Sequence, residues 1–328
     1  MDGAKSMIDM HCHAAGIGAG GSGCFISRRM RRNVRYPLFL RSYGVTENDL
    51  HREGDILVLR HLSDGVAQSQ RVAKAVVLAL DGVVREGDLD RDATEMFVPN
   101  DYLAASVRDF PNLLFAASVN PYRRDAYNRL ERAAADGAVL LKWLPSIQYI
   151  DPADQRLIPF YKRVKALDLP LLSHTGRENS FTAARHELAD PERLRLPLSL
   201  GLTVIAAHAG SNGRNGGEPN HRRFLRLIRE FPNLYADIAS LTQINRFGHL
   251  QRLIRHREVH GRLLYGTDMP LPNTAMVSPL FYPFKLSFRE MLELSRIRNP
   301  WDQDVLLKEA LGMRAEMLAD PAQVLRMG

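Results

Sequence analysis

Val204-Ile205-Ala206-Ala207-His208-Ala209-Gly210 reads as a short buried strand: an apolar run opened by two β-branched residues and closed by a histidine, with a glycine two residues on. Similar apolar runs recur at residues 7–10, 75–80, 113–119, 139–144, 169–173, 234–238 and 262–266; this one occupies 203–207, which makes eight. From the second onward their starts lie about 26–38 residues apart, room for one strand, one helix and two loops.

The stretches between them carry helical periodicity. Residues 125–135 set Tyr127, Leu130, Ala133 and Ala134 on one face. Residues 159–167 group Phe160, Val164 and Leu167, and Phe224, Leu227, Ile228 and Phe231 repeat the spacing. Near-continuous apolar strands alternating with helices predict a parallel sheet covered by helices. Eight such units predict a single (β/α)8 barrel, of the TIM type, rather than an open sheet. The first interval is out of scale, so residues 14–73 are expected to form an insertion over the barrel mouth, with one helical stretch at 47–70. Residues 301–327 are expected to supply one or two closing helices, and the whole chain, 1–328, reads as one domain.

The 328 residues are 45% hydrophobic and 25% charged, as in an ordinary globular protein. No run approaches the roughly 18 apolar residues of a membrane span. Residues 1–5 lead into the first strand without the apolar core of a secretory leader, and two cysteines cannot form a disulfide framework, so the expected location is the cytoplasm. Net charge is +7, and the one dense basic cluster is Arg28, Arg29, Arg31, Arg32 and Arg35. It reads as a solvated face or as an anion-attracting rim. No recognition motif accompanies the charge, so nucleic acid is not an expected partner. A homodimer is the default assembly.

The polar residues at the strand ends carry the chemistry. His11-Cys12-His13 ends the first strand, where alternation puts the two imidazoles on one face and Cys12 on the other. His174 ends the fifth strand, His208 the sixth, and Asp268, in Tyr265-Gly266-Thr267-Asp268-Met269-Pro270, the eighth. Each histidine alone is as readily a satisfied core residue. Four of them with one carboxylate at one barrel mouth make a set suited to a divalent metal, Zn first, with Mn, Fe or Co as alternatives.

His-x-His on strand one, Lys142 on strand four, His174 and His208 on strands five and six and Asp268 on strand eight resemble the amidohydrolase superfamily. Ile8-Asp9-Met10-His11-Cys12-His13 and the Asp268 segment look most like its amidohydrolase-related branch, which also includes aminocarboxymuconate-semialdehyde decarboxylase and similar non-oxidative decarboxylases. The resemblance implies that His11, His13 and His174 ligate metal, and that Asp268 binds metal and shuttles a proton for the attacking water. His208 would ligate a second metal or act as a catalytic acid or base. Lys142 would bridge two metals as a carbamate, meet a substrate carboxylate, or pair with a carboxylate such as Asp237.

Gly16-Ile17-Gly18-Ala19-Gly20-Gly21 fits a dinucleotide fingerprint, but no helix follows at once and no acid stands about 20 residues on, so it reads as a mobile mouth loop. Cys24 reads as a free surface thiol. Trp143, Tyr149 and Arg177 follow strands four or five and read as pocket lining or, at least as readily, as packing or rim. The expected activity is metal-dependent hydrolysis of an amide, ester or lactone in a small carboxylated substrate. The alternative is metal-dependent decarboxylation of an aromatic or unsaturated acid.

Overall fold

The computed structural model describes residues 7–327. Residues 1–5, on which the reading of a missing leader rests, lie outside them. All eight expected strands form, all parallel: β1 Met7–His13, β2 Val72–Leu78, β3 Leu113–Ala116, β4 Leu141–Trp143, β5 Leu171–His174, β6 Val204–Ala207, β7 Leu234–Asp237 and β8 Leu263–Leu264. They hydrogen-bond in sequence order as one sheet of three, β1 to β3, and one of five, β4 to β8. Parallel bridges join the sheets at both edges, Ala117 to Leu141 and Cys12 to Met269.

Alternation along each strand sorts the core into two bodies. Val76, Leu78, Leu172, Ile205 and Leu264 pack together on the inner face, with Val324 and Leu325 among them. Ala75, Val77, Leu141, Trp143, Leu171 and Val204 pack outward against the helices. Helix Ala126–Ala135 buries Leu130, Ala133 and Ala134 as the periodicity requires, though Tyr127 remains 46% exposed at the edge of that face. The expected helix at 47–70 is two, Glu47–Glu53 and Ile56–Gln68. Gly54, at φ 84°, breaks it in a conformation that suits glycine. At the C-terminal end Pro300–Ala310 is a full helix, followed by short turns, and Phe288–Ser295 adds a helix the sequence reading lacked.

Strand β1 breaks its own alternation. Asp9 pairs with Ala75 and Cys12 with Val77, so β1 uses one residue more than its partner between these points. This β-bulge leaves Met10 in the inner core while Asp9 and Cys12 both face outward. The turn in register sends His11 and His13 inward. Gly266 makes room for them: a Cβ there would meet the His11 Cβ at 3.1 Å.

Asp9 locks this seam from outside. Its fully buried carboxylate accepts from the His11 amide (3.1 Å), the Thr267 amide (3.0 Å) and hydroxyl (2.5 Å), the Trp301 indole (2.8 Å) and the Cys12 thiol (2.9 Å). One anion thus ties β1, the segment after β8 and the helix Pro300–Ala310. The same helix sends Lys308 to the Gly266 carbonyl (2.7 Å) and to Asp304 (2.5 Å). Replacing Asp9 by Asn turns one acceptor into a donor facing donors. Asp9→Asn is expected to lose about 3 kcal/mol of stability in urea unfolding, and a loss below about 1 kcal/mol would contradict the role given to it.

Candidate metal centre

The strand ends deliver His11, His13, Lys142, His174, His208, Asp237 and Asp268 to one region. His11 Nε2, His13 Nε2 and Asp268 Oδ1 form a near-regular triangle, with edges of 3.3, 3.1 and 3.5 Å. A tetrahedral ion with ligand bonds of about 2.0–2.2 Å separates its ligand atoms by about 3.3–3.6 Å. These three residues therefore fit a common divalent ion, and they form one of two ligand groups among the described residues. The other comprises His11, His208 and Asp237. Its contacts read differently: Asp237 Oδ2 lies 2.8 Å from His11 Nδ1, and Oδ1 accepts the His208 and Ala239 amides at 2.8 and 3.1 Å. A carboxylate that orients the far nitrogen of a histidine is a common support for a metal ligand.

His174 and Lys142 stand beside the triangle and belong to neither group. The buried His174 Nε2 has no hydrogen-bond partner, and its ring packs edge-on against His208 at 5.0 Å. Lys142 is fully buried with Nζ 3.0 Å from His11 Nε2. Its expected alternative partner Asp237 is taken by His11 and His208 instead. Burial lowers Lys142 to about 8, opposed by Asp237, Asp268 and Glu178.

The electrostatics favour neutral imidazoles and an ionised carboxylate. Burial pushes His174 down to about 4 and lowers His13 and His208 as well. Burial would raise Asp268, but His11, His13 and His208 outweigh it and hold the carboxyl well below its usual range. The Ala239 carbonyl, which can only accept, lies 2.9 Å from His208 Nδ1. The proton therefore sits on Nδ1, and the Nε2 lone pair is free, 3.9 Å from Asp268 Oδ2. The Ser240 hydroxyl donates to the same Oδ2. His208, Ser240 and Asp268 all have φ near +60°, a costly backbone for such residues that gathers where three strands end.

The cavity above these groups measures about 770 Å³ with its open mouth, and Met30, Phe39, Met96, Leu144, Phe181 and Leu271 give it apolar walls. Met30 and Phe39 come from the 14–73 segment. The arginine cluster there is partly engaged: Arg29 and Arg35 hold the carbonyls of Thr182 and Asn179 at 3.0 and 2.7 Å, and Arg31 pairs with Glu47. The glycine-rich loop is tied down, with Ile17 and Gly18 amides on Asp55 at 3.0 and 2.9 Å. A carboxylate already holds the donors a phosphate would need. Cys24 is buried, contrary to expectation, and burial raises its thiol to about 12. Trp143 packs outward on Phe160 and Tyr161, Tyr149 stacks under Arg185, and Arg177 lines the cavity.

Four residues of the site escaped the sequence reading: Asp237 as a support, Ser240, Glu178 and Arg246. Asp237 ends β7, whereas Asp268, expected to end β8, follows it by four residues; a carboxylate closing an apolar run was a usable signal for both. The others are ordinary loop residues with no local pattern.

Parallel strands covered by helices, with imidazoles and a carboxylate gathered at their ends, define a class of α/β proteins with a candidate metal centre. The sequence matches the amidohydrolase family over residues 8–296, and the chain belongs to that family of enzymes. Among curated proteins none matches the sequence. In fold the chain is similar to an uncharacterized TIM-barrel protein from Bordetella bronchiseptica. The identity is 17%, the TM-score 0.56, and the match covers 93% of this chain and 99% of that one. It is also similar to a probable 2-pyrone-4,6-dicarboxylic acid hydrolase from Acinetobacter baumannii, at 13% identity and TM-score 0.51, covering 97% and 98%. Among the described residues no helix is long and apolar enough to cross a membrane.

Three further histidines cluster elsewhere: His221 lies 6.1 Å from His249 and 5.9 Å from His256, ring to ring. Burial pushes His221 and His249 down to about 4. The unfolded chain takes up these protons near pH 6.5, so stability is present above that pH and declines as pH falls from 6.5 toward 4. In metal-free protein, melting temperature is expected to drop across this window, and His221→Gln should flatten the slope; an unchanged slope would contradict the assignment.

Proposed function

We propose that this protein is a metal-dependent hydrolase built on a closed (β/α)8 barrel, cleaving an amide, ester or lactone bond in a small carboxylated substrate. Closure is supported by the bridges at both sheet edges and the Asp9 lock. The observation that carries the functional reading is the triangle of His11 Nε2, His13 Nε2 and Asp268 Oδ1, with edges of 3.1–3.5 Å. These residues would hold a divalent ion, Zn first among Zn, Mn, Fe and Co, with His174, whose Nε2 makes no hydrogen bond and faces Glu178 Oε2 at 3.7 Å, as a fourth ligand. When bound, such an ion supplies an acidified water and a Lewis-acid contact for a carbonyl oxygen.

The chain's own residues do the rest. Asp268, ionised and steadied by Ser240, accepts the proton of the attacking water and returns it to the leaving group. His208 presents an unprotonated Nε2 to the cavity, as a base or ligand rather than as a proton donor. Asp237 holds His11 in the orientation that aims Nε2 at the site. Lys142, beside His11, offers a cation for substrate or, as a carbamate, a further ligand. The 14–73 segment lies over the mouth, as Met30 and Phe39 in the cavity wall support. The protein works in the cytoplasm, as a homodimer by default.

One observation favours a second reading, decarboxylation of an aromatic or unsaturated acid. The second ligand group is spent on orienting hydrogen bonds, which leaves a site for a single ion and makes His208 an acid–base residue.

Elemental analysis of untagged protein is expected to find about one divalent ion per chain, two if carbamylated Lys142 bridges; absence of uptake from added Zn or Mn would overturn the reading. Asp237→Asn should weaken Zn about 10–100-fold in a chelator competition. His174→Ala and Asp268→Ala should remain folded and abolish turnover. On a panel of carboxylated lactones, amides and esters, acid release supports the hydrolase, whereas CO2 release from aromatic acids would establish the second reading.

A further inference from the structure

Two arginines are buried among the described residues, Arg123 and Arg246, at 8% and 6% exposure. Arg123 is matched: its Nε donates to Asp81 Oδ2 at 2.7 Å and a second nitrogen to Oδ1, a two-pronged ion pair. Arg246 is not. It lines the same cavity as His13, His208 and Asp268, yet its buried Nε has no partner. No carboxylate of the described residues comes within 4.0 Å of its guanidinium. Its one side-chain hydrogen bond runs from Nη1 to Gln243 Oε1 at 3.4 Å. A buried guanidinium with no carboxylate in direct contact is expensive, and the fold that gives Arg123 a two-pronged partner in Asp81 leaves Arg246 only more distant charges, chiefly those of Asp268 and Glu178.

From this contrast we infer that Arg246 is the anchor of a carboxylate subsite, and that the missing anion is carried by the substrate. This deepens the proposed function, on which it rests only for taking the cavity as the substrate site. The planar fork of a guanidinium matches a carboxylate with two parallel hydrogen bonds. The neighbouring anions Asp268 and Glu178 disfavour a dianion such as a phosphate ester, and Phe39, Phe181 and Leu271 suit an apolar body behind the carboxylate. Arg246 is also held in place relative to the reacting groups. Gln243 Nε2 donates to the Ser240 hydroxyl at 2.8 Å, and that hydroxyl donates to Asp268. Three consecutive hydrogen bonds therefore set the distance from Asp268 to the subsite. Arg246 is a positioning and specificity residue rather than a proton-transfer group.

The test uses benzoate, benzamide and phenyl phosphate as probes, measured by ligand-observed NMR titration on full-length, metal-stripped protein, so that no probe can bind an ion. Wild type should bind benzoate about tenfold or more tightly than benzamide, and tighter than phenyl phosphate. Arg246→Met should erase the benzoate preference, Arg246→Lys should keep part of it, and Arg289→Met, on an exposed helix outside the cavity, should leave it intact. No benzoate preference in wild type overturns the inference even if the Met variant fails to fold. A preference that survives in folded Arg246→Met also overturns it, and tighter phenyl phosphate overturns the carboxylate assignment. Zinc uptake, measured separately, tells the two readings apart. An Arg246-dependent benzoate preference without zinc binding sinks the hydrolase and leaves the subsite standing.

Discussion

A single buried carboxylate, Asp9, is the constraint on which the rest depends. Five donors from β1, the β8 end and the C-terminal helix converge on it. Without it, the first and last strands would meet with several buried donors unmatched, and helix Pro300–Ala310 would lose its anchor through Trp301. Because Asp9 holds the seam from the helix side, the seam does not depend on anything bound in the interior. The inner face can therefore carry imidazoles, a lysine and two carboxylates that would otherwise make poor core.

A second buried carboxylate, Asp237, does for the interior what Asp9 does for the seam. It fixes His11 through Nδ1 and receives the His208 amide, so two imidazoles from different strands share one reference point. Ser240 and Asp268 add a further link, and each sits in a left-handed backbone conformation held by its surroundings. Local backbone cost is concentrated at the residues that face the cavity, while the strands other than the bulged β1 keep a continuous register. This division between a stable frame and a costly rim is how such folds can vary their chemistry without losing their architecture.

The strands were legible because each is a short, nearly continuous apolar run, and His11, His13, His174, His208 and Asp268 were legible as a set because all five close such runs at the same end, although any one alone reads as readily as core. What escaped depends on contacts distant in sequence. The bulge in β1 is invisible without its partner Val72–Leu78, although the inward placement of His11 and His13 by simple alternation came out the same. Gly54 was the visible mark of the split helix. Cys24 was misjudged as exposed because Asp55, more than 30 residues on, ties the loop that carries it into the core. Arg246 is one of 37 arginines, and only burial without a partner sets it apart.

The bulge also sets the traffic of the site. It places Met10 and His11 on the same interior side, one directly after the other, so that the apolar floor begins one residue below the first imidazole. Leu264, Ile205 and Leu172 complete that floor, and Val324 and Leu325 plug it from beneath. Among the described residues this apolar layer backs the imidazoles, and the cavity wall that includes Met30 and Phe39 lies on their other side, so a closed barrel would make entry of substrate and exit of product compete for one mouth.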